Sequence, residues 1–148
     1  MSLKERLQDD WKQALKARDK LKADTISMAK AAVLQVEKTD GVKLEDEDVI
    51  EVLAREVKQR REAMLEFEKG NRQDLVDKNA NEIEILLNYL PQQLTEEEIM
   101  TMIQDASVEV GANSIKDMGK VMQALAPKIK GRADGKLVST MVKENLSK

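Results

Sequence analysis

The side chains best placed to do chemistry lie in one stretch, DMGKVMQALAPKIKGRADGKLV, residues 117–138. Lys120, Lys128, Lys130, Arg132 and Lys136 bring fixed positive charge to a segment punctuated by Gly119, Gly131 and Gly135. Between positions 116 and 136 the balance is six basic side chains against two acidic ones. Such a cluster at a helix-to-helix corner suits phosphate oxygens, because glycine lets a backbone come close and the amides of the next helix start attract anions. A second reading uses the same residues for folding alone. Gly131 ends one helix, Asp134 caps the next, and the lysines sit where the dipole at a helix C-terminus favours cations. Spacing alone favours this second reading. If the cluster does bind phosphate, structured RNA read by shape is the expected partner, because Trp11, Phe67 and Tyr89 are the only aromatic residues and single strands are gripped by base stacking.

Other chemistry is harder to place. The chain has no histidine and no cysteine, which removes the usual general base, the commonest zinc ligands and any thiolate nucleophile. No GxSxG elbow, Walker A loop or GxGxxG fingerprint occurs, and no nucleophile–base pair stands out. Neither a catalytic residue nor a cofactor or metal site is assigned. The acidic run LEDEDVIE, Leu44 to Glu51, lacks the spacing and central glycine of a calcium loop and reads as the favourable acidic first turn of a helix. REVKQRRE, Arg55 to Glu62, reads as a solvated helix face with Glu56 and Arg60 paired at i, i+4. Tyr89 reads as a buried ring whose hydroxyl bonds at a helix end.

These residues must be carried by helices. The 148-residue chain is rich in Ala, Leu, Met, Glu, Lys and Gln, and its apolar residues recur at helical spacing. Ser2 opens a first helix bearing Leu3, Leu7, Trp11 and Leu15; Ile26, Ala29, Val33 and Val36 mark a second, ending before Asp40-Gly41. Val49, Leu53, Val57, Met64 and Phe67 mark a third with Gly70 past its end, and Asn71 caps a fourth carrying Leu75, Ile83, Leu86, Leu87 and Leu90. Beyond Pro91, Thr95 and Glu98 form a capping box with a Leu94–Ile99 staple, and Gly111 closes that fifth helix. Ser114 and Asp117 open a sixth with Ile115, Met118, Met122 and Leu125 inward, which Pro127 should kink or end. Asp134 caps a seventh with Leu137, Val138, Met141, Val142 and Leu146 inward. The expected fold is all-α: an N-terminal four-helix bundle or double hairpin over 1–91, then a three-helix tail over 92–148.

The net charge of −3 does not mark a nucleic-acid binder globally. No apolar run reaches signal-peptide or membrane-spanning length. With no cysteine, this leads to the expectation of a cytoplasmic protein without membrane or metal partners.

The segments EVKQRREAMLEFEKGNRQDLVDK, NYLPQQLTEEEI and DMGKVMQALAPKIKGRADGKLV resemble the GatB/YqeY family across nearly the whole chain. Met118 to Met122 and Lys130 to Asp134 carry the most specific part of the likeness. The chain looks like a stand-alone YqeY-type protein, similar to the C-terminal helical and tail domains of the B subunit of the glutamine-dependent aminoacyl-tRNA amidotransferase. The resemblance implies a helical domain followed by a tail associated with holding tRNA. ATP, magnesium and the carbon–nitrogen ligase chemistry with glutamine as amide donor belong to other domains of that enzyme. It therefore implies a non-catalytic tRNA-binding module, with Lys120, Lys128, Lys130, Arg132 and Lys136 against phosphate and Gly119 and Gly131 acting through backbone geometry and packing. An alternative is a protein–protein adaptor for an aminoacyl-tRNA synthetase or amidotransferase complex, using Met118, Met122 and Met141 as an adaptable surface. A further alternative, implied by the family resemblance alone, is carbon–nitrogen ligase activity of the chain itself with glutamine as amide donor.

Overall fold

A computed structural model describes residues 1–147. It contains seven α-helices: α1 (Leu3–Lys16), α2 (Lys20–Asp40), α3 (Asp46–Lys69), α4 (Gln73–Leu87), α5 (Glu96–Glu109), α6 (Met118–Ile129) and α7 (Gly135–Leu146). A single 3-10 turn, Ile115–Asp117, precedes α6, and no strand occurs among the described residues. The fold is all-α. The chain divides into two compact units, Met1–Pro91 and Gln92–Lys148.

In the first unit the main packing pairs are α1 with α2 and α3 with α4, and α2 also touches both α3 and α4. Leu7, Ile26, Val33, Val49, Leu53, Val57, Ile83 and Leu86 meet in its core, with Trp11, Val36 and Met64 packed against it. Each fully buried Leu or Ile contributes roughly 1.5–3 kcal/mol. The helices begin where local hydrogen bonding allows. The Ser2 hydroxyl accepts from the Glu5 amide and the Asp19 carboxylate from the Lys22 amide. Glu45 and Asp48 form a reciprocal box at the start of α3. The LEDEDVIE run is thus a helix start, and Asp46 also accepts the amide of Leu3 at 3.0 Å.

Two features of the α3–α4 pair differ from the sequence expectations. Gly70 keeps a negative φ of −87° and the left-handed position falls to Asn71, φ 56°. There the Arg72 amide reaches back to the Phe67 carbonyl at 2.8 Å, the wrap-around that satisfies a helix C-terminus. Asn71 therefore ends α3 instead of capping α4, whose N-cap, Arg72, makes no side-chain cap bond. The second difference is Arg60, which is buried. Its Nε meets Glu82 Oε2 at 3.1 Å and its Nη1 meets Glu56 Oε1 at 3.2 Å.

In the second unit Ile99, Ile103, Ala106, Val121, Leu125, Ile129, Val138, Val142 and Leu146 form one core from α5, α6 and α7. Thr95 and Glu98 make the complete capping box, and Gly111 closes α5 with φ 68°. The Ser114 hydroxyl makes no cap bond, and Asp117 Oδ2 instead accepts the Asn113 amide at 3.1 Å. The resulting 3-10 turn changes the helical phase and leaves Ile115 exposed, where an inward side chain was expected. Leu137 likewise lies outward while Val138 and Val142 are fully buried. Pro127 sits inside α6, which runs two residues further to Ile129. In the last turn the missing amide removes one bond only, so the helix continues past it.

Candidate nucleic-acid interface

The α6–α7 corner is built by chain reversal at Gly131, φ 72°. The Arg132 amide turns back to the Ile129 carbonyl at 2.8 Å, and the Ala133 amide shares that acceptor. A positive φ of this size costs a residue with a Cβ, so glycine is favoured there. At Gly119 no such constraint exists. It lies in the first turn of α6, and a Cβ built there meets nothing within 4 Å. Of the two glycines, only Gly131 has a positive φ.

Three hydrogen bonds fasten the corner to the segment that leads into α5. Leu94 donates its amide to the Arg132 carbonyl at 2.9 Å, and Gln93 Nε2 donates to the Gly131 carbonyl at 2.8 Å. Arg132 Nε donates to the Gln92 carbonyl at 3.1 Å. Arg132 is therefore half-buried and already holds a partner. Glu98 is held below the usual carboxylate value chiefly by the amide and hydroxyl of Thr95, with the Arg132 charge adding a smaller pull.

The start of α7 is also occupied. The Asp134 carboxylate accepts the Lys136 amide at 3.2 Å, placing a negative group where a bound phosphate would sit. Lys120 faces Asp117 across 4.0 Å. Lys128, Lys130 and Lys136 are exposed. The corner thus offers lysine ammonium groups, while its one guanidinium and its free helix start are committed to the fold.

Tyr89 is the other residue that sequence singled out. Its ring is buried and its hydroxyl donates to Asp10 Oδ2 at 2.5 Å. The partner is a residue within α1, not a helix end. Arg6 lies 4.7 Å above the ring and donates to the Asn88 carbonyl at 2.8 Å. Burial, then the Asp10 contact, push the Tyr89 hydroxyl well above its ordinary value. Such a phenol is a poor acid and binds α4 to α1. Among the described residues no group of three or more Asp, Glu, His or Cys is arranged to hold a metal.

Sequence reasoning passed over a second basic cluster. Residues 12 to 22 carry Lys12, Lys16, Arg18, Lys20 and Lys22 against the single acid Asp19. The signal was charge density over a short window, diluted by the acidic remainder of the first unit.

Residues 4–146 match the family described as Yqey-like protein. The chain belongs to the YqeY-like family. Among YqeY-like relatives, "Altered inheritance of mitochondria protein 41, mitochondrial" of Pyrenophora tritici-repentis is 30% identical over 144 residues, covering 94% of this chain and 78% of that protein. The protein of the same name in Kluyveromyces lactis is 40% identical over 88 residues, or 56% of this chain and 45% of that protein. That of Lachancea thermotolerans is 34% identical over 87 residues, covering 58% and 46% respectively. The match spans about half the length of these last two relatives.

The relatives correct one expectation. A cytoplasmic location was inferred from composition, yet all three of these relatives are named as mitochondrial proteins. A chain with no cysteine carries no redox signature, so its composition could not separate one reducing compartment from another. No helix among the described residues is long and apolar enough to cross a membrane.

Proposed function

We propose that this YqeY-like chain is a non-catalytic helical module that binds structured RNA, tRNA first among candidates, through phosphate contacts. The observation that carries the reading is the exposure of Lys128 and Lys136 at the α6–α7 corner with no ion pair to either among the described residues. Lys130 projects from the same corner. Exposed ammonium groups release counterions when they meet phosphates, which yields affinity that falls with salt. The likeness to the tRNA-holding tail of the amidotransferase B subunit points the same way. None of the three aromatic side chains is fully exposed, which favours duplex or folded RNA over unstructured strands.

Exposure and existing partners divide the roles within the corner on this reading. Lys128, Lys130 and Lys136 are the phosphate contacts of this reading, with Lys120 a weaker one beside Asp117. Arg132 holds the corner's shape. The adaptor alternative loses its chief feature, because Met118, Met122 and Met141 are partly buried and packed on the core.

The test is a filter-binding titration of bulk tRNA across a salt series, with wild type and a Lys128→Glu/Lys136→Glu variant. Phosphate contact predicts wild-type affinity that drops as salt rises, and a further loss of about tenfold or more in the variant. Wild type and variant binding equally, or neither binding, sinks the reading.

A further inference from the structure

Several surfaces compete for attention. A groove of about 310 Å³ between α1 and α2 includes Leu7, Val33 and Leu34 among its lining residues, but its cation Lys4 is paired with Glu37 at 2.8 Å and its Lys30 lies over the Trp11 ring. Ser107 has a buried hydroxyl without a partner among the described residues, and nothing around it suggests a ligand. The α1–α2 corner differs from both in having charge that the fold does not use.

Lys12, Lys16, Arg18 and Lys20 are exposed there and Lys22 is half-buried. None of the five makes an ion pair or a side-chain hydrogen bond among the described residues. Five other cations, Lys4, Arg60, Lys69, Arg72 and Lys120, each face a carboxylate; the corner stands out by gathering five that do not within eleven residues. The one acid of the corner, Asp19, is turned inward on the Lys22 amide as the cap of α2.

Local rules of stability run against this arrangement. Lys12 and Lys16 are like charges at i, i+4, which repel. Lys20 and Lys22 stand in the first turn of α2, which has no acidic residue, where the helix dipole disfavours cations. Arg18 sits in the left-handed region at φ 58°, a conformation that glycine or asparagine adopts at less cost. Only Lys16, in the last turn of α1, agrees with the dipole. Residues that break several local rules together mark a site kept for another purpose. Beside them is a hollow of about 240 Å³ lined by Leu15, Arg18, Asp19, Lys20 and Asp24 among others. A neighbouring cleft brings Lys22 close to Asn81 and Glu84. Asp24 lines the hollow and Glu84 the cleft, and Asp9 stands one helical turn before Lys12, yet none of them makes an ion pair with the five cations among the described residues.

We propose that the α1–α2 corner is a phosphate-contacting surface for the backbone of structured RNA, separate from the tail corner. This deepens the RNA-binding reading and rests on it. Five cations without an ion pair among the described residues, set around one helix-to-helix corner, complement a phosphate row. A lipid surface is the poorer match, because Leu15 is the only exposed large apolar side chain of the corner and interfacial anchoring needs an apolar face as well as charge.

The experiment measures bulk tRNA binding across a salt series for four full-length proteins. They are wild type, a Lys16→Gln/Arg18→Gln/Lys20→Gln corner variant, a Lys128→Gln/Lys136→Gln tail variant, and a Lys38→Gln/Lys58→Gln/Lys78→Gln control that removes the same charge from other exposed positions. The corner variant is expected to bind about tenfold or more weaker than the control, with a shallower dependence of affinity on salt by about two to three units of slope. Corner variant and control losing affinity equally overturns the corner. So does a corner variant that binds like wild type, and if the tail variant alone weakens, the tail reading stands without it. Wild type that fails to bind tRNA overturns both. Tighter binding of wild type to phosphatidylserine vesicles than to tRNA, lost in the corner variant, identifies a lipid headgroup and overturns RNA. Should the triple variant fail to fold, Arg18→Gly decides. It relieves the left-handed strain, so it is expected to melt higher yet bind tRNA several-fold weaker; unchanged binding overturns the proposal.

Discussion

Tyr89 is the only tyrosine in the chain, and its hydroxyl is closed between the core and the Asp10 carboxylate at 2.5 Å. Burial first, and the Asp10 contact second, raise it from an ordinary value of 10.0. Folding thus favours the neutral phenol. The sign follows: the contribution is complete below about pH 10, where folded and unfolded chains both keep the proton, and it is lost as pH rises above that. The expected outcome is that ultraviolet titration shows no tyrosinate in the folded protein up to about pH 11, with the band appearing together with loss of helix. Tyr89→Phe should cost about 1–2 kcal/mol at neutral pH and move alkaline unfolding to higher pH. A tyrosinate band that grows near pH 10 while the helices persist would mean the hydroxyl is solvated. At the same scale, the candidate cations show why a basic cluster in a sequence overstates the charge available. Arg132 looks like a phosphate fork until its Nε is found on the carbonyl of Gln92, forty residues away. Lys12 to Lys22 look like an ordinary helix surface until their lack of partners is known. Charge is local in sequence, whereas its neutralisation depends on which chain segment folds back beside it.

Between elements, Arg60 of α3 pairs with Glu82 of α4, both under a tenth exposed at the side chain. Glu56 and the Met28 sulfur, 3.9 Å from Nη2, complete the surroundings. Removing one partner leaves a buried charge alone, so Arg60→Met should destabilise the protein by about 3–5 kcal/mol. The double variant Arg60→Met/Glu82→Leu should recover most of that loss, because an apolar pair of similar volume needs no desolvation of charge. Urea denaturation of the three proteins checks this; a double variant as unstable as the single one would show that the pair has a role beyond neutralising itself. The helix starts and stops were the most legible elements, since Thr95 with Glu98, Asp134 and Gly41 act within a turn of the chain. The ion pair was not legible, because Glu82 lies 22 residues beyond Arg60 and both look like solvent-facing charges on their own helices. Ile115 was misplaced because periodicity assumes an unbroken helical phase, and the 3-10 turn before α6 resets it. Leu137 is in the first turn of α7, whose inner face is carried by Val138, Val142 and Leu146.

At the scale of the molecule, each of the two units carries its own apolar core. The second is formed by fewer than sixty residues, a size at which folding buries only about 60% of the chain's surface. Trp11, Phe67 and Tyr89 all belong to the first unit. Urea unfolding followed by Trp11 emission therefore reports that unit, while the helix signal in circular dichroism reports both. The expected outcome is non-coincident curves, with part of the helix signal lost at lower urea than the Trp11 transition. Coincident curves would show that the units unfold together. The all-α class was legible because helix formers and 3.6-residue periodicity agree along the chain. Which basic surface stays open was not, since it depends on pairings between distant segments. Each unit is also one uninterrupted stretch of chain, and this bears on biosynthesis. Among the described residues none after Pro91 contributes to the first core, so α1 to α4 can close over their apolar faces while the tail is still being translated. Residues 92 onward then emerge beside a finished partner instead of a sticky intermediate.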